Sequence, residues 1–326
     1  MSCDDREQQG SRHPRDLPSC PVDLRVSAGR STRLLLSDLA IYAAAVSAGA
    51  AADSPVVQML AILCIGSRMR ALNNLAHEAS HQLLFRNRHL NDWAGILCSA
   101  ILLTRFARYR AEHLRHHALL GTQADPDLSL YSELGISDLP QRIRPLALLR
   151  AFPRRYTIHA LGSTKGKAGA MERSWSSATI LATGLGALAL GGTDGLQAVS
   201  MYWIAPLLTS YPAIRFVAET GEHGALYQRA SPSEALAHRA IAMTRNIHVH
   251  PLLAFLLYPH GDAHHMLHHR FPGIPGPCLP ELQVLLQQRG WHVGIPAANW
   301  SSPLLGREGL LHQLVGHPAA PSRNPP

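Results

Sequence analysis

The sequence predicts an all-α integral membrane protein with two transmembrane helical hairpins, about four spans, and a cytosolic helical cap. Three observations lead to this fold class. Only 16% of the 326 residues are charged while 46% are hydrophobic, whereas a soluble globular protein usually has about a quarter of its residues charged. The charges are concentrated in blocks, which leaves long apolar runs between them. These runs come in pairs, and a short turn-forming segment separates the two members of each pair.

The four apolar runs define the two hairpins. The first run is about long enough to cross a bilayer, which takes roughly 20 helical residues. Asp53-Ser54-Pro55 interrupts the first pair, and the turn at Gly191–Gly195 interrupts the second. The first pair is Leu34–Ala52 and Val56–Ser67, the latter continuing as a helix into Ala76, and the second pair is Ser176–Leu190 and Ala198–Ala218.

The distribution of basic residues predicts the orientation of the hairpins. Neither hairpin turn contains Lys or Arg, while the segments outside the hairpins hold nearly all of them. By the positive-inside rule, both termini and the long middle segment are cytosolic. Two weaker apolar stretches, Trp93–Leu103 and Leu252–Tyr258, are too short to span and are expected to lie at the interface or pack on the hairpins. A soluble bundle of buried helices is the alternative, and the charge-free hairpin tips argue against it.

The predicted domain organisation has three parts. Residues 1–33 are polar and are expected to form a disordered cytosolic tail, with no signal-peptide pattern. Residues 34–285 form the membrane domain, and residues 286–326 form a cytosolic C-terminal segment with a proline-rich end. The five cysteines are scattered without a CxxC pair, so they indicate neither a disulfide framework nor a zinc knuckle.

Histidines are the most informative feature, because many of the 20 are grouped at helical spacing. Positions i, i+3 and i+4 lie on one face of a helix, and neutral imidazole is a ligand for iron, copper, zinc and nickel. Eight such histidines are too many for one metal and suit two. His223, with Glu219 one turn earlier, follows the second hairpin as the first histidine cluster follows the first hairpin. The three clusters are His77 and His81, then His113, His116 and His117, then His265, His268 and His269.

Each cluster has a simpler interpretation. His77-Glu78-Ala79-Ser80-His81 alone matches a zinc protease motif with Glu78 as general base, although a protease would leave the other two clusters unexplained. A single HxxHH segment could be a solvated helix or a transient metal-binding patch. A membrane metal carrier with a histidine cage is a further possibility, but its ligands would lie inside the spans.

The order HxxxH, HxxHH and a distant HxxHH, with hydrophobic hairpins before and between, resembles the membrane fatty acid desaturase and hydroxylase superfamily. Flanking residues are similar too. His116–Thr122 followed by Asp125–Leu128 resembles the segment after the second box of bacterial members, and His268–Pro275 is similar to the family's third-box ending. The resemblance covers about Leu34 to Leu285.

The resemblance implies a di-iron centre with O2 as co-substrate. In the family an Asn one turn ahead of the further His acts through water. Here Glu219 stands at that position relative to His223, so its carboxylate is expected to bind iron directly, with Glu222 as a rival. Asp125, Asp127 and Asp262 are candidates for fixing imidazole tautomers, or else for ordinary loop capping. The implied ligands are His77, His81, His113, His116, His117, His223, His265, His268, His269 and Glu219, and the eight box histidines among them are the implied catalytic residues.

The implied reaction is desaturation of a fatty acyl chain or acyl-linked substrate. A hydroxylase acting on an alkyl chain and a desaturase of a small amino-acid-derived metabolite are alternatives, and a non-enzymatic metal carrier is a remote one. The expected partners are the lipid bilayer, the acyl substrate and a separate electron donor of the ferredoxin or cytochrome type, with no nucleic acid. The expected location is a bacterial inner membrane. The basic stretch Arg105, Arg108, Arg110 and Arg115 meets lipid head groups, an acidic carrier or an acidic donor, or reflects topology alone.

Overall fold

The computed structural model of the protein describes residues 27–133, 167–224, 226–227, 230–288 and 297–299. These residues form mainly α-helices. Helices α1 to α5 are Ala28–Ala51, Pro55–Ser80, Arg88–Ile101, Phe106–Leu119 and Pro126–Glu133. Helices α6 to α8 are Lys167–Val199, Ala205–Leu208 and Ser210–His223, with a π-helical turn at Ser200–Ile204. Helices α9 to α12 are Leu236–Ala242, Pro251–Leu257, His265–Arg270 and Leu279–Gln288, with 3-10 turns at Pro259–His264 and Gly276–Cys278. Strands β1 and β2 are Asn246–His248 and Ala297–Asn299.

Three helical stretches of the described chain are long and apolar enough to cross a membrane: α1, α2 and the stretch Arg173–His223. Helices α1 and α2 form the first predicted hairpin, and Pro55 starts α2 at a position where a missing N–H costs nothing. The first half of α2 exposes Met59 and Leu60 at 68% and 59%. Its second half is buried without interruption from Ile65 to Ser80. One helix thus extends from an apolar surface into the protein core.

The second predicted hairpin also folds back on itself. Gly192 has φ +59° and ψ −144°, outside the helical region and in a conformation that favours glycine. A Cβ atom built on Gly184 would lie 3.8 Å from the Leu196 side chain, although a straight helix would separate these residues by about 18 Å. The chain therefore reverses within the segment Gly191–Gly195, as the turn predicted there requires.

The N-terminal boundary differs from the prediction. Helix α1 begins at Ala28, within the segment expected to be a tail up to residue 33. Ser27 caps it by accepting a hydrogen bond from the Arg30 N–H, and the buried Ser31 hydroxyl donates to the Leu84 carbonyl. These contacts fix the first turn of α1 against the loop after α2. Residues 1–26 of the predicted tail lie outside the described residues.

The C-terminal boundary predicted at residue 285 falls inside α12. Leu286 is fully buried with Leu282 in the core around the third histidine segment. Further along, β2 pairs in parallel with β1, matching Ala297 to Asn246. The Asn246 side chain accepts hydrogen bonds from the N–H groups of Met266 and Leu267 at 3.1 and 3.3 Å. The segment after residue 285 is therefore joined to the start of α11, and residues 300–326 lie outside the described chain.

The two short apolar stretches become helices that pack beside α2. Helix α3 turns Ala94 and Cys98 inward against the core. Its other face leaves Leu90 and Trp93 exposed at 58% and 68%, which is the pattern of a helix lying at a membrane surface. Helix α10 packs against α2 and α8.

An ion pair joins α1 and α2 where both helices are apolar. Arg68 donates to Asp38 at 2.8 Å, and both side chains are only 2% exposed. Asp38 is also 2.7 Å from His260 of the 3-10 turn before α11. The charge of Asp38 within an otherwise apolar run is thus explained by two buried partners that link the first hairpin to the third histidine segment.

Replacing Asp38 with Ala is expected to destabilise the protein by about 3–5 kcal/mol, because Arg68 then keeps a buried charge without its partner. Thermal unfolding of purified protein in detergent measures the loss. Asp53→Ala removes an exposed carboxylate from the turn between α1 and α2 and is expected to change stability by no more than about 0.5 kcal/mol. Equal unfolding temperatures for the two variants would show that the ion pair does not stabilise the hairpin.

Candidate metal centre

Four helices bring the predicted histidines together. His77 lies in the last turn of α2, and His81 follows at its C-terminal cap. The second group lies in the last turns of α4, the third group occupies α11, and His223 ends α8. The i, i+3 and i+4 spacing places each group on one helical face, and these faces meet in the interior of the described structure.

Cluster one contains five histidines whose ligand nitrogens all lie within 4.8 Å of one another: His77, His81, His113, His117 and His268. The Nε2 atom of His268 lies 2.7 Å from that of His77 and 2.9 Å from that of His117. The Nε2 atoms of His81 and His113 are 2.8 Å apart. All three histidine-bearing segments of the sequence contribute to this cluster.

Cluster two contains four histidines: His116, His223, His265 and His269. The Nε2 atom of His265 lies 2.8 Å from that of His223 and 3.1 Å from that of His269. The Nε2 atoms of His116 and His269 are 3.3 Å apart. The two clusters adjoin, since the rings of His117 and His269 stack with centroids 4.2 Å apart.

The protonation of these rings suits metal binding. Burial lowers the pKa of His81 to about 4. Burial, with the neighbouring imidazoles adding to its effect, also lowers the pKa of five further rings far below the ordinary value, so they are neutral at pH 7. These five are His113, His117, His265, His268 and His269.

The spacing of the nitrogens fits a bound ion. Two nitrogens that lie about 2.1 Å from one ion and at right angles to each other are about 3 Å apart. The Nε2 separations of 2.7 to 3.3 Å in both clusters match this value. A tetrahedral zinc site takes four ligands, whereas cluster one offers five. The donor set therefore fits an ion with a higher coordination number.

Residues behind the rings determine which nitrogen faces the cluster. The Nδ1 atom of His116 lies 2.8 Å from an oxygen of buried Asp125 and 3.5 Å from Asp127. Burial alone would lower the pKa of His116, but Asp127 and Asp125 raise it to about 9. The Nδ1–H of His223 donates to the Met243 carbonyl at 3.0 Å. These contacts direct both Nε2 atoms into cluster two, as predicted for Asp125 and, at a longer distance, for Asp127.

Asp262 was a candidate for fixing an imidazole tautomer and Glu219 for binding the metal, but both carboxylates contact arginine instead. Asp262 accepts a hydrogen bond from Arg70 at 2.6 Å. Among the described hydrogen bonds, it accepts none from an imidazole. Glu219 pairs with Arg215 and lies 3.6 Å from Arg70. Its carboxylate belongs to none of the described groups of possible ligands, whereas Glu222 and Asp262 form one with His265. The rival Glu222 is therefore nearer to cluster two, although it is itself paired with Arg70 at 3.0 Å.

Arg70 was not singled out by sequence reasoning. Its buried guanidinium contacts Glu219 and Glu222 of α8 and Asp262 of the 3-10 turn before α11. The sequence does place Arg70 two helical turns before His77, on the same face of α2, and this spacing could have identified it. Two tyrosines that were also missed, Tyr131 and Tyr227, pack on the ring of His223 with centroids 5.8 and 5.5 Å away.

Glu78 does not point toward the imidazoles as a protease base would. Its carboxylate accepts a hydrogen bond from the Gly276 N–H at 3.1 Å and is buried. It also lies outside the described groups of possible ligands. The geometry thus gives Glu78 a structural partner and removes the support for a zinc protease.

The four arginines of the basic stretch have different environments. Arg110 pairs with Asp92 and packs over the ring of Phe106. Arg108 pairs with Glu112 at 3.0 Å. Arg115 donates to the Ala124 carbonyl. Arg105 and Arg108 line a cavity beside the clusters.

Comparison with known proteins agrees with the site. The fatty acid desaturase family model matches residues 54–294. The chain belongs to the fatty acid desaturase family. The match includes α2, the second hairpin and every histidine of the two clusters, so the family resemblance inferred from the histidine segments is confirmed. A dihydrorhizobitoxine desaturase from Bradyrhizobium elkanii is 28% identical over 278 residues, which cover 78% of this chain and 76% of the relative.

Each cluster is expected to bind its own ion, so His81→Ala and His223→Ala should each lower the metal content of the reconstituted protein by about half. Elemental analysis after anaerobic loading with Fe(II) measures the number of ions per chain. His238→Ala is the control, because His238 is 55% exposed and pairs with Glu234 outside both clusters. Loss of all metal from either single variant would contradict two separately formed sites.

Asp125→Asn is expected to weaken metal binding at cluster two by about 10–100-fold, because the carboxylate that orients His116 is lost. Competition with a chelator, followed by optical spectra of the Co(II)-loaded protein, measures the affinity of the two clusters. Asp127→Asn is the comparison, since Asp127 lies farther from His116 and its side chain is 42% exposed. An effect of Asp127→Asn as large as that of Asp125→Asn would rule out the specific role of Asp125.

Proposed function

We propose that this protein is a membrane-bound, O2-dependent di-iron desaturase that introduces a C=C bond into its substrate. The observation on which the proposal depends is the convergence of nine buried or half-buried imidazoles into two adjoining clusters, in a chain of the fatty acid desaturase family. Cluster one has more nitrogen donors than zinc usually takes, which supports iron as the ion.

Bound iron together with O2 supplies an oxidant strong enough to attack an unactivated C–H bond, which no side chain can do. The residues of this chain hold and orient the centre. Asp125 and the Met243 carbonyl fix the tautomers of His116 and His223. The stacked rings of His117 and His269 keep the two clusters adjacent.

The balance of the reaction requires an external electron donor. Removal of two hydrogen atoms from neighbouring carbons releases two electrons and two protons. Two further electrons from the donor, with two protons from solvent, complete the reduction of one O2 to two waters. We propose a separate donor of the ferredoxin or cytochrome type, because this chain contains neither a CxxC pair nor a GxGxxG segment.

We propose that the protein spans a bacterial inner membrane several times, with both termini and the metal centre on the cytosolic side. The hairpin turns without Lys or Arg support this orientation. The exposed apolar face of α2 and the apolar surface of α3 support the placement in lipid.

Two substrate classes follow from the family comparison. The name of the family points to a fatty acyl chain. The name of the relative from Bradyrhizobium elkanii points to dihydrorhizobitoxine. A hydroxylase would use the same metal centre and differ only in its product.

Cells expressing the wild-type protein are expected to accumulate a compound that is two hydrogens lighter than its precursor, because desaturation removes one hydrogen from each of two carbons. Mass spectrometry of total lipids and polar metabolites identifies the pair. Cells expressing the double variant His81→Ala, His223→Ala should lack the product, and cells expressing His238→Ala should contain it.

Other outcomes would contradict the proposal. A product heavier by one oxygen would indicate a hydroxylase. Purified protein that binds zinc or nickel reversibly, and consumes no O2 when it is loaded with iron and supplied with a reductant, would indicate a metal carrier.

A further inference from the structure

One cavity in the described structure adjoins both histidine clusters. Its volume is about 140 Å³, and residues of α2, α4, α5 and α8 and of the 3-10 turn before α11 line it. Five imidazoles reach its wall: His77, His113, His116, His223 and His265. A molecule in this cavity therefore lies against ligands of both clusters.

The walls of this cavity are polar and charged. Four guanidinium groups and five carboxylates line it, and the other described lining residues are histidine, asparagine, threonine and tyrosine. No aliphatic side chain is among the described residues of the wall. Apolar side chains predominate in the usual ligand pocket, whereas among the described residues here the apolar surface comes from the hydrocarbon stems and rings of polar side chains.

Such a wall is poorly suited to a long acyl chain. A buried CH2 group gains about 0.8 kcal/mol when it leaves water for apolar surroundings. Beside charged groups this gain is offset by the loss of their hydration. The size is also small, because a cavity of about 150 Å³ in another protein holds a molecule as small as benzene. Size and lining both favour a compact polar substrate.

The charged residues of the wall come from several helices. Arg105 and Arg108 stand at the start of α4, and Arg108 precedes His113 by about 7.5 Å along the helix axis. A guanidinium group binds a carboxylate through two parallel hydrogen bonds. Asp127 of α5 provides negative charge from another helix, and Glu219 of α8 is paired with Arg215. Side chains of both charges thus line the cavity beside the clusters, and they complement a molecule that itself carries both charges.

We propose that the substrate is a small amphoteric molecule of about amino-acid size, whose carboxylate is bound by Arg105 and whose ammonium group faces Asp127. Its aliphatic carbons then lie against the imidazoles of both clusters. Arg105 is a substrate-binding residue that determines the distance between the carboxylate and the reacting carbons. This inference rests on the proposed function, because it takes the clusters to be the reaction centre.

The test compares matched probes that differ only in charged groups. L-Norleucine has both groups, hexanoate lacks the ammonium group, and pentylamine lacks the carboxylate. Isothermal titration with the full-length, metal-loaded protein is expected to give the tightest binding for L-norleucine. Palmitoyl-coenzyme A, a long acyl chain on a polyanionic carrier, is expected not to compete with L-norleucine.

Variants of Arg105 assign the carboxylate contact. Arg105→Gln is expected to weaken binding of L-norleucine and hexanoate by about tenfold or more and to leave pentylamine unchanged, because one charge-assisted contact is lost. Arg105→Lys should retain part of the affinity, since it keeps the charge but not the bidentate geometry. Arg88→Gln is the control, because Arg88 is exposed at the start of α3 and outside the cavity. Unchanged metal content in each variant establishes that the site is folded.

The outcomes separate this inference from the proposed function. Binding of L-norleucine that depends on Arg105, without O2-dependent loss of two hydrogens from any compound, would support the inference and contradict the proposed function. Desaturation of palmitoyl-coenzyme A at a rate unaffected by Arg105→Gln would leave the proposed function standing and overturn the inference. Failure of L-norleucine to bind, or equal binding to wild type and Arg105→Gln, would overturn it as well.

Discussion

The arrangement of the metal centre depends on a buried guanidinium group. Arg70 of α2 contacts carboxylates from α8 and from the turn before α11. Helices α2, α8 and α11 all supply histidines to the clusters. Removing a guanidinium group from water is costly, and only close opposite charges compensate for it. Arg70 therefore stabilises the fold when Glu222 and Asp262 are both in place, which links the positions of α2, α8 and α11. The ion pairs of Arg70 thus fix the relative positions of histidines that are far apart in sequence.

The chemistry of the clusters follows from burial combined with helical periodicity. Spacing of three and four residues places imidazoles on one face of each helix, and packing of the helices excludes water from them. Without water most of these rings lose their protons, as the lowered pKa values of His81 and His268 indicate, whereas Asp127 and Asp125 raise the pKa of His116. Neutral rings with inward nitrogens are an unfavourable arrangement for an ordinary core and a suitable one for cations. The same helix that supplies His77 exposes apolar side chains at its other end, so one helix connects the clusters to an apolar surface.

Local patterns were predictable and distant partners were not. The histidine groups and the hairpin turns depend on residues close in sequence, so periodicity and turn chemistry were sufficient to predict them. Asp125 could be predicted because it lies nine residues after His116. The pairing of Asp262 with Arg70 bridges 192 residues, and no periodicity reports such a contact. Glu219 was predicted as a ligand from its spacing to His223 alone. Its pairing with Arg215 and Arg70 depends on how the helices pack, which spacing does not show.

The parallel pairing of β2 with β1 gives the end of the chain an influence on the third histidine segment. Backbone hydrogen bonds connect Ala297–Asn299 to the strand that includes Asn246, and the amide of Asn246 in turn holds the first N–H groups of α11. A shortened protein ending before Ala297 would keep all nine imidazoles of the two clusters and yet lose this support. Deletions that reach these three residues are therefore expected to act on the histidine clusters from a distance.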